Sequence, residues 1–275
     1  MESVYNVGFY IISFFSVYIQ VFFLVTFFEK RKVLKMKVDD IVLEKYPTVT
    51  IAVPCYNEQT TLVRTVESLL ALEYPKDKLS IFLVDDGSTD NTWNVMQQFK
   101  GHENIQILQK ENGGKHTALN LALTKTDSEF FACLDADSFA HPLALLRMMK
   151  YYQADPTIMA VVPSIIVYQP KNILQKAQQV EYDQSVYNKK MLGLSGGIHV
   201  TPGPLSVFRK RVFDELGPYK KAHNTEDQEI ALRMQMHGYK IDHCPEACVY
   251  TMTPPTVYKL YKQRLRWVYG FIKNL

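Results

Sequence analysis

Phe130-Phe131-Ala132-Cys133-Leu134-Asp135-Ala136-Asp137-Ser138 is the stretch on which the fold turns. A continuous apolar run of this kind marks a strand buried on both faces. Here it leads into two carboxylates spaced i, i+2. Side chains two apart on an extended chain share a face, so Asp135 and Asp137 are placed to converge at the strand's C-terminal end. In an open α/β sheet that edge is where ligands bind. A magnesium ion held by one or two carboxylates keeps positions open for phosphate oxygens, which makes the segment a candidate metal–diphosphate site. A solvated Asp-rich loop followed by a helix-capping Ser138 accounts for the same residues, so the neighbouring sequence has to decide.

Upstream, three further strands are expected at 48–53, 79–84 and 105–108, with a fourth at 129–134. Residues 59–72 carry helical spacing at Leu62, Val66, Leu69 and Leu70. A second helix starts after Thr89-Asp90-Asn91 and carries Trp93, Met96 and Phe99, and a third covers 115–124. Strands alternating with helices imply a mainly parallel α/β sheet with helices on both faces. Each strand runs into a polar cluster: Pro54-Cys55-Tyr56-Asn57-Glu58, Asp85-Asp86-Gly87, Gly113-Gly114-Lys115 and Asp135-Ala136-Asp137. Four such clusters at successive strand ends converge on one cleft, which is more specific than any one of them.

Each cluster fits a task in holding a nucleotide. Pro54 and Tyr56 offer a flat surface for a base, with Glu58 near them. Asp86 can accept a hydrogen bond from a uracil ring N–H; Asp85 beside it is a further donor-binding candidate, for which stabilisation of its own turn is the rival role. Gly113 and Gly114 let backbone approach a phosphate, and Lys115 supplies a point charge for it.

The second half reads differently. Residues 156–168 are apolar and β-branched, 172–191 form a polar helix rich in Gln and Tyr, and 193–204 are a Gly/Pro-rich loop. Val207-Phe208 begins a short element. Asn224-Thr225-Glu226-Asp227 precedes a helix with Ile230, Leu232, Met234 and Met236 that ends at Gly238. Residues 256–273 hold Lys259, Lys262, Arg264, Arg266 and Lys273 and no acid, with apolar residues at helical spacing. A cationic amphipathic helix of this kind lies in a membrane interface. Cys244 and Cys248, with His237 and His243 nearby, lack a second cysteine pair and read as buried free thiols rather than zinc ligands; together with Cys55 and Cys133 they fit a reducing compartment.

At the N-terminus, residues 3–28 contain no charged side chain, which is long enough for a transmembrane helix. Lys30, Arg31, Lys32, Lys35 and Lys37 follow, against the single acid Glu29. The positive-inside rule places this flank in the cytoplasm. A cleaved signal peptide would carry its basic residues ahead of the apolar run. The chain of 275 residues has a net charge of +3, too small to imply a nucleic-acid partner.

The ordered set of motifs from about residue 48 to 270 resembles the family 2 glycosyltransferases, which have the nucleotide-sugar-binding GT-A fold. Thr225-Glu226-Asp227 looks like the family's catalytic-base motif. Gln263-Arg264-Leu265-Arg266-Trp267 looks like the Q-x-x-R-W motif of its membrane-bound processive members, the cellulose, chitin, hyaluronan and poly-N-acetylglucosamine synthases. The resemblance implies Asp135 and Asp137 on Mg²⁺ or Mn²⁺ and the nucleotide, Asp227 as general base, Arg266 and Gln263 towards the diphosphate, and Trp267 as a platform for the acceptor sugar. It also implies inversion at the anomeric carbon and a loop around the acceptor near Gly203, although Pro202 and Pro204 depart from the cellulose-synthase pattern. Glu226 is then either a partner of the site or a helix N-terminal acid.

The expected organisation is a transmembrane helix with its basic flank (1–37), a GT-A domain (38–255) and an interfacial helix (256–275). Expected partners are a UDP-sugar donor, a saccharide or lipid-linked acceptor and membrane lipid. Processive relatives continue beyond their Trp motif into further membrane helices, whereas Leu275 follows Trp267 by eight residues. A longer parent chain, a split synthase with an additional membrane subunit and a short enzyme all stay open. Two rival functions are transfer of a single sugar to a polyprenyl phosphate or lipid, and a silent nucleotide-sugar scaffold. Retention of Asp135, Asp137 and Asp227 argues against the scaffold.

Overall fold

The computed structural model describes residues 2–35, 37–222 and 225–274; Asn224, which the sequence places ahead of the Thr-Glu-Asp motif, lies outside them. Helix α1 (Glu2–Leu34) comes first. Its 33 residues span about 50 Å, and its side chains from Val7 to Phe28 are largely exposed. Among the described residues it is the one helix long and apolar enough to cross a membrane. Phe23 and Thr26 are buried exceptions on this helix.

The parallel half of the sheet follows, with β1 (Val49–Cys55), β2 (Leu79–Asp86), β3 (Ile105–Lys110) and β4 (Phe130–Cys133) in the order β3-β2-β1-β4. Alternation of side chains divides these strands between two cores. Val49, Ile51, Val53, Leu79, Ile81 and Leu83 enter one; Ala52, Phe82, Val84 and Phe131 enter the other. Helices α2 (Leu62–Leu70) and α3 (Thr92–Gln97) cover the first face, and α4 (Lys115–Lys125) covers the second.

The chain continues through β5 (Ser138–Ala140), α5 (Ala144–Ala154), β6 (Ile158–Val167), α6 (Ile173–Leu194), β7 (Ser206–Arg209), α7 (Arg211–Leu216), α8 (Glu226–Met236), β8 (Lys240–Thr251) and α9 (Val257–Asn274). Among the described residues all eight strands join one sheet, ordered β3-β2-β1-β4-β7-β6-β8-β5. Strand β7 runs antiparallel to β4 and β6, and β5 antiparallel to β8, so the sheet is mixed beyond β4. The α/β expectation of a GT-A fold holds.

Two details differ from the sequence reading. Ser138 caps no helix: it opens β5, and its hydroxyl lies against Thr251 of the neighbouring strand. Asp135 and Asp137 do not continue an extended strand, because the Ser138 N–H closes a turn on the Asp135 carbonyl at 3.0 Å. The two carboxylates therefore flank a turn rather than project in parallel. Strand β8 alternates on either side of a bulge that shifts its phase: Pro163 pairs with Cys244 and Ser164 with Cys248, which leaves 245–247 without ladder partners on β6. Proline is tolerated in a sheet at such a bulge. The four cysteines are free, and His243 is buried with Nε2 3.2 Å from Ser164 Oγ.

Candidate functional site

The strand order β3-β2-β1-β4 reverses at β1, with β2 on one side and β4 on the other, all parallel, and this is the crevice where open α/β sheets bind ligands. The loops leaving the four strands are joined there, each to the next. Asn57, in the left-handed region at φ 58°, accepts the Thr89 N–H on Oδ1 at 2.8 Å, and its own N–H reaches Ser88 Oγ. The Glu58 N–H donates to Thr92 Oγ1 at 2.8 Å. Asp86 accepts from the backbone N–H groups of Gly113 and Gly114 at 3.1 and 2.8 Å and pairs with Lys110 at 2.7 Å. Asp85 is fully buried and accepts from the Ser88 N–H and Gln109 Nε2, as a residue stabilising its own turn does. Gly87 sits at φ 71°, and a Cβ there would lie 2.7 Å from the Asn112 nitrogen, so this crossing admits only glycine.

Lys115, the first residue of α4, is the hinge of the site. Its Nζ lies 2.6 Å from Asp135 Oδ1 and 3.2 Å from Glu226 Oε1. Burial works against its charge, but Asp135 and the other acids around it hold it protonated well above the ordinary lysine range. Gly203 passes directly over the pair: a Cβ on it would stand 2.5–2.7 Å from both Asp135 oxygens and 2.6 Å from Lys115 Nζ. A side chain here would have to displace the Asp135 and Lys115 side-chain ends from each other. Two residues on, Leu205 takes φ 59° with no exposure, a costly conformation for a branched side chain. Thr201 donates through both N–H and Oγ1 to the Asp227 carbonyl, which ties this loop to the start of α8. Lys115, Gly203, Glu226 and Asp227 share the lining of a cavity of about 10 Å³, the size of one water.

Asp227 stands in the first turn of α8 and accepts the Gln228 N–H at 2.9 Å. Burial, reinforced by Glu226 and Asp135 and opposed by Lys115, pushes its carboxyl up to about 6. Asp137 is likewise pushed up to about 6, by burial first and then by the negative charges of Asp135 and Glu58. The Glu58 carboxyl is raised by burial, with Asp135 and Asp90 adding to it. This mutual repulsion fits a hard divalent cation, which would relieve it. Among the described residues no three His, Cys, Asp or Glu side chains form a ready cage. The donor set therefore suits a metal that takes its remaining oxygens from a diphosphate.

Helix α9 closes the other side. Gln263 is partly buried, with an unpartnered Oε1; Trp267 is 37% exposed and lies under the Arg264 guanidinium at 4.2 Å. Arg264 pairs with Glu181 of α6 at 2.7 Å. Arg266 is exposed on the helix flank, Pro54 stands half-buried near the end of β1, and Tyr56 is exposed just beyond it. Helix α6, assigned no site residue from sequence, flanks the cleft. Its Lys189 is brought down to about 8 by burial, with Asp227 opposing. Its Tyr182 is raised by burial and feels both Arg264 and Asp137. The signal was a polar face, since Gln178, Tyr182 and Lys189 fall on one side of a helix. A larger groove of about 580 Å³ lies elsewhere, between the end of α1 and Gly238–Lys240, and holds none of the expected site residues.

A profile for glycosyl transferase family 2 matches residues 50–217. The chain is 31% identical over 224 residues to a poly-beta-1,6-N-acetyl-D-glucosamine synthase of Staphylococcus epidermidis, covering 81% of this chain and 54% of that protein. Its counterpart in Staphylococcus aureus (strain COL) is 30% identical over 236 residues, covering 85% and 57%. The chain thus spans a little over half the length of these relatives. Among solved structures, a Pyrobaculum calidifontis mannosyltransferase in complex with GDP-Man and Mn²⁺ superposes with a TM-score of 0.73 at 23% identity, over 92% of this chain and 70% of that one. S. aureus TarS in complex with UDP-GlcNAc gives 0.59 at 17%, over 78% and 60%. The fold is that of GT-A transferases, and on the profile match and the sequence identity this chain belongs to glycosyl transferase family 2.

Proposed function

We propose that the protein transfers a sugar, N-acetylglucosamine or glucose, from a UDP-sugar to a growing β-linked polysaccharide, with inversion and with the help of Mg²⁺ or Mn²⁺. The observation that carries this reading is Lys115 bridging Asp135 and Glu226, so that a donor-side carboxylate and the residue beside Asp227 meet over one cation. The named activity of the staphylococcal relatives supports the polymer product, and the UDP-GlcNAc complex of TarS supports the donor class.

In this account Tyr56 and Pro54 take the base at the rim, and the N-terminus of α4 with Lys115 faces the diphosphate, where helix N–H groups favour anions. Asp135 and Asp137 would hold the divalent cation, which when bound would supply charge stabilisation to the UDP leaving group. Asp227 accepts the proton of the acceptor hydroxyl as that oxygen bonds to the anomeric carbon and the bond to UDP breaks. Trp267 offers its face to the acceptor ring, and Arg266 and Gln263 complete the donor side. Helix α1 spans the membrane with the domain on the cytoplasmic side. Helix α9 lies in the interface, turning Tyr258, Tyr261, Leu265, Val268 and Ile272, all exposed, towards lipid.

A raised carboxyl gives this reading a pH signature. Below about 6 Asp227 is protonated and accepts nothing; above it the group is an ionised base. Turnover at saturating donor and metal is expected to rise with pH through about 6 and then level. Metal occupancy competes with protonation at Asp137, so raising the metal concentration shifts a limb due to Asp137 and leaves one due to Asp227 in place. A turnover that is flat from pH 5 to 8 removes Asp227 from the base role.

A further inference from the structure

Helix α9 meets the start of the base-bearing helix at Gly270. Gly270 is buried, unlike every residue from Leu265 to Tyr269 before it. A Cβ built on it would overlap Cγ2 and Oγ1 of Thr225 and lie 2.8 Å from Thr225 Cβ. One turn further, Asn274 Nδ2 donates to Thr225 Oγ1 at 3.0 Å and towards its carbonyl at 3.3 Å. Gln263, Trp267, Gly270 and Asn274 recur at i, i+4, i+7 and i+11, one stripe of a helix. The stripe that carries the acceptor-side Trp267 is therefore the stripe that rests on Thr225.

Thr225 in turn sets the start of α8. It is 5% exposed, its Oγ1 donates to the Ala222 carbonyl at 2.7 Å, and its carbonyl accepts from the N–H groups of Gln228 and Glu229 at 3.1 Å. Asp227 lies inside that first turn. A side chain at position 270 would push α9 away from Thr225, or push Thr225 and the first turn of α8 with it.

We propose that Gly270 is a positioning residue: its bare backbone seats α9 on Thr225 and so fixes the acceptor face of α9 against Asp227. This rests on the reading of Asp227 as the base. Misplacement of a reacting group by about 1 Å costs on the order of 100-fold in rate, and most of the donor site lies on the far side of the cleft, at β1–β4, with only Gln263 and Arg266 contributed by α9. The contact therefore governs turnover far more than it governs donor binding.

The test is a cycle of four full-length proteins in membranes: wild type, Gly270→Ala, Thr225→Gly and the double variant. Gly270→Ala is expected to lower kcat about 100-fold, with the donor KM and UDP affinity changed by less than about tenfold, the part that Gln263 and Arg266 contribute. Thr225→Gly removes all three overlapping atoms, so the double variant recovers kcat about tenfold over Gly270→Ala, although Thr225→Gly alone is impaired. Wild-type kcat in Gly270→Ala, or a loss of UDP affinity in step with kcat, overturns the proposal. If Gly270→Ala does not fold, Asn274→Ala decides: a kcat about fivefold lower at unchanged KM supports the proposal, and unchanged kcat overturns it. A wild type without transfer counts against the function instead. Thermal unfolding of the same cycle still reads the contact then, and additive effects at positions 225 and 270 overturn it.

Discussion

Asp227→Asn is expected to abolish sugar transfer, with kcat lower by about 10³-fold and within the 10²–10⁴-fold range of a general base, while UDP binds as it does to wild type. Asparagine keeps the size of the side chain and the oxygen that accepts the Gln228 N–H at 2.9 Å, so the first turn of α8 is unchanged. The lost property is the ability to take a proton. The charge removed is also one that opposes folding, because burial raises this carboxyl to about 6; the variant should unfold no earlier than wild type. A fall in kcat at constant UDP affinity identifies an interaction made only in the transition state. Wild-type turnover in Asp227→Asn would sink the assignment.

The second large effect is at the metal. Excess EDTA, or replacement of both Asp135 and Asp137 by Asn, is expected to reduce transfer at least 100-fold and to weaken UDP binding as well, in contrast to Asp227→Asn. The sign of the stability change separates this from unfolding. The folded-state pKa of Asp137 is raised from 3.8 to about 6, so its ionisation opposes folding above that pH, and the penalty is absent below the unfolded value. Removing the charge at pH 7 without metal stabilises by up to about 3 kcal/mol, at 1.36 kcal/mol per unit. Asp137→Asn should therefore melt no lower than wild type in EDTA while losing metal-dependent stabilisation. Full transfer in excess EDTA would contradict the metal assignment.

Much of this site could be read along the chain because its parts are local. Each of β1 to β4 is a short apolar run ended by its own polar cluster, and sequential βα units bring those clusters to one edge. What sequence left unread depends on contacts between distant segments. Asp86 was expected to face a base, yet its carboxylate is held by Lys110, Gly113 and Gly114, a set that no spacing within its own motif announces. Gly203 suggested close approach to a sugar; the structure adds its close passage over the Lys115–Asp135 pair, 88 and 68 residues away in sequence. Glu226, for which sequence left two roles open, stands in the first turn of α8 and 3.2 Å from Lys115. Strand β8 was missed because its bulge at 245–247 breaks the period of two, and α6 was placed but given no site role because its polar face resembles a solvated one.

The central claim is that this cleft transfers a sugar from a UDP donor with inversion. It is tested most directly by incubating membranes containing the full chain with UDP-N-acetylglucosamine or UDP-glucose and Mg²⁺ or Mn²⁺, and following UDP release together with the anomeric configuration of the saccharide formed. The account predicts UDP released in step with a β-linked product from one of these donors. Absence of UDP release with both donors, or an α-linked product, would contradict it.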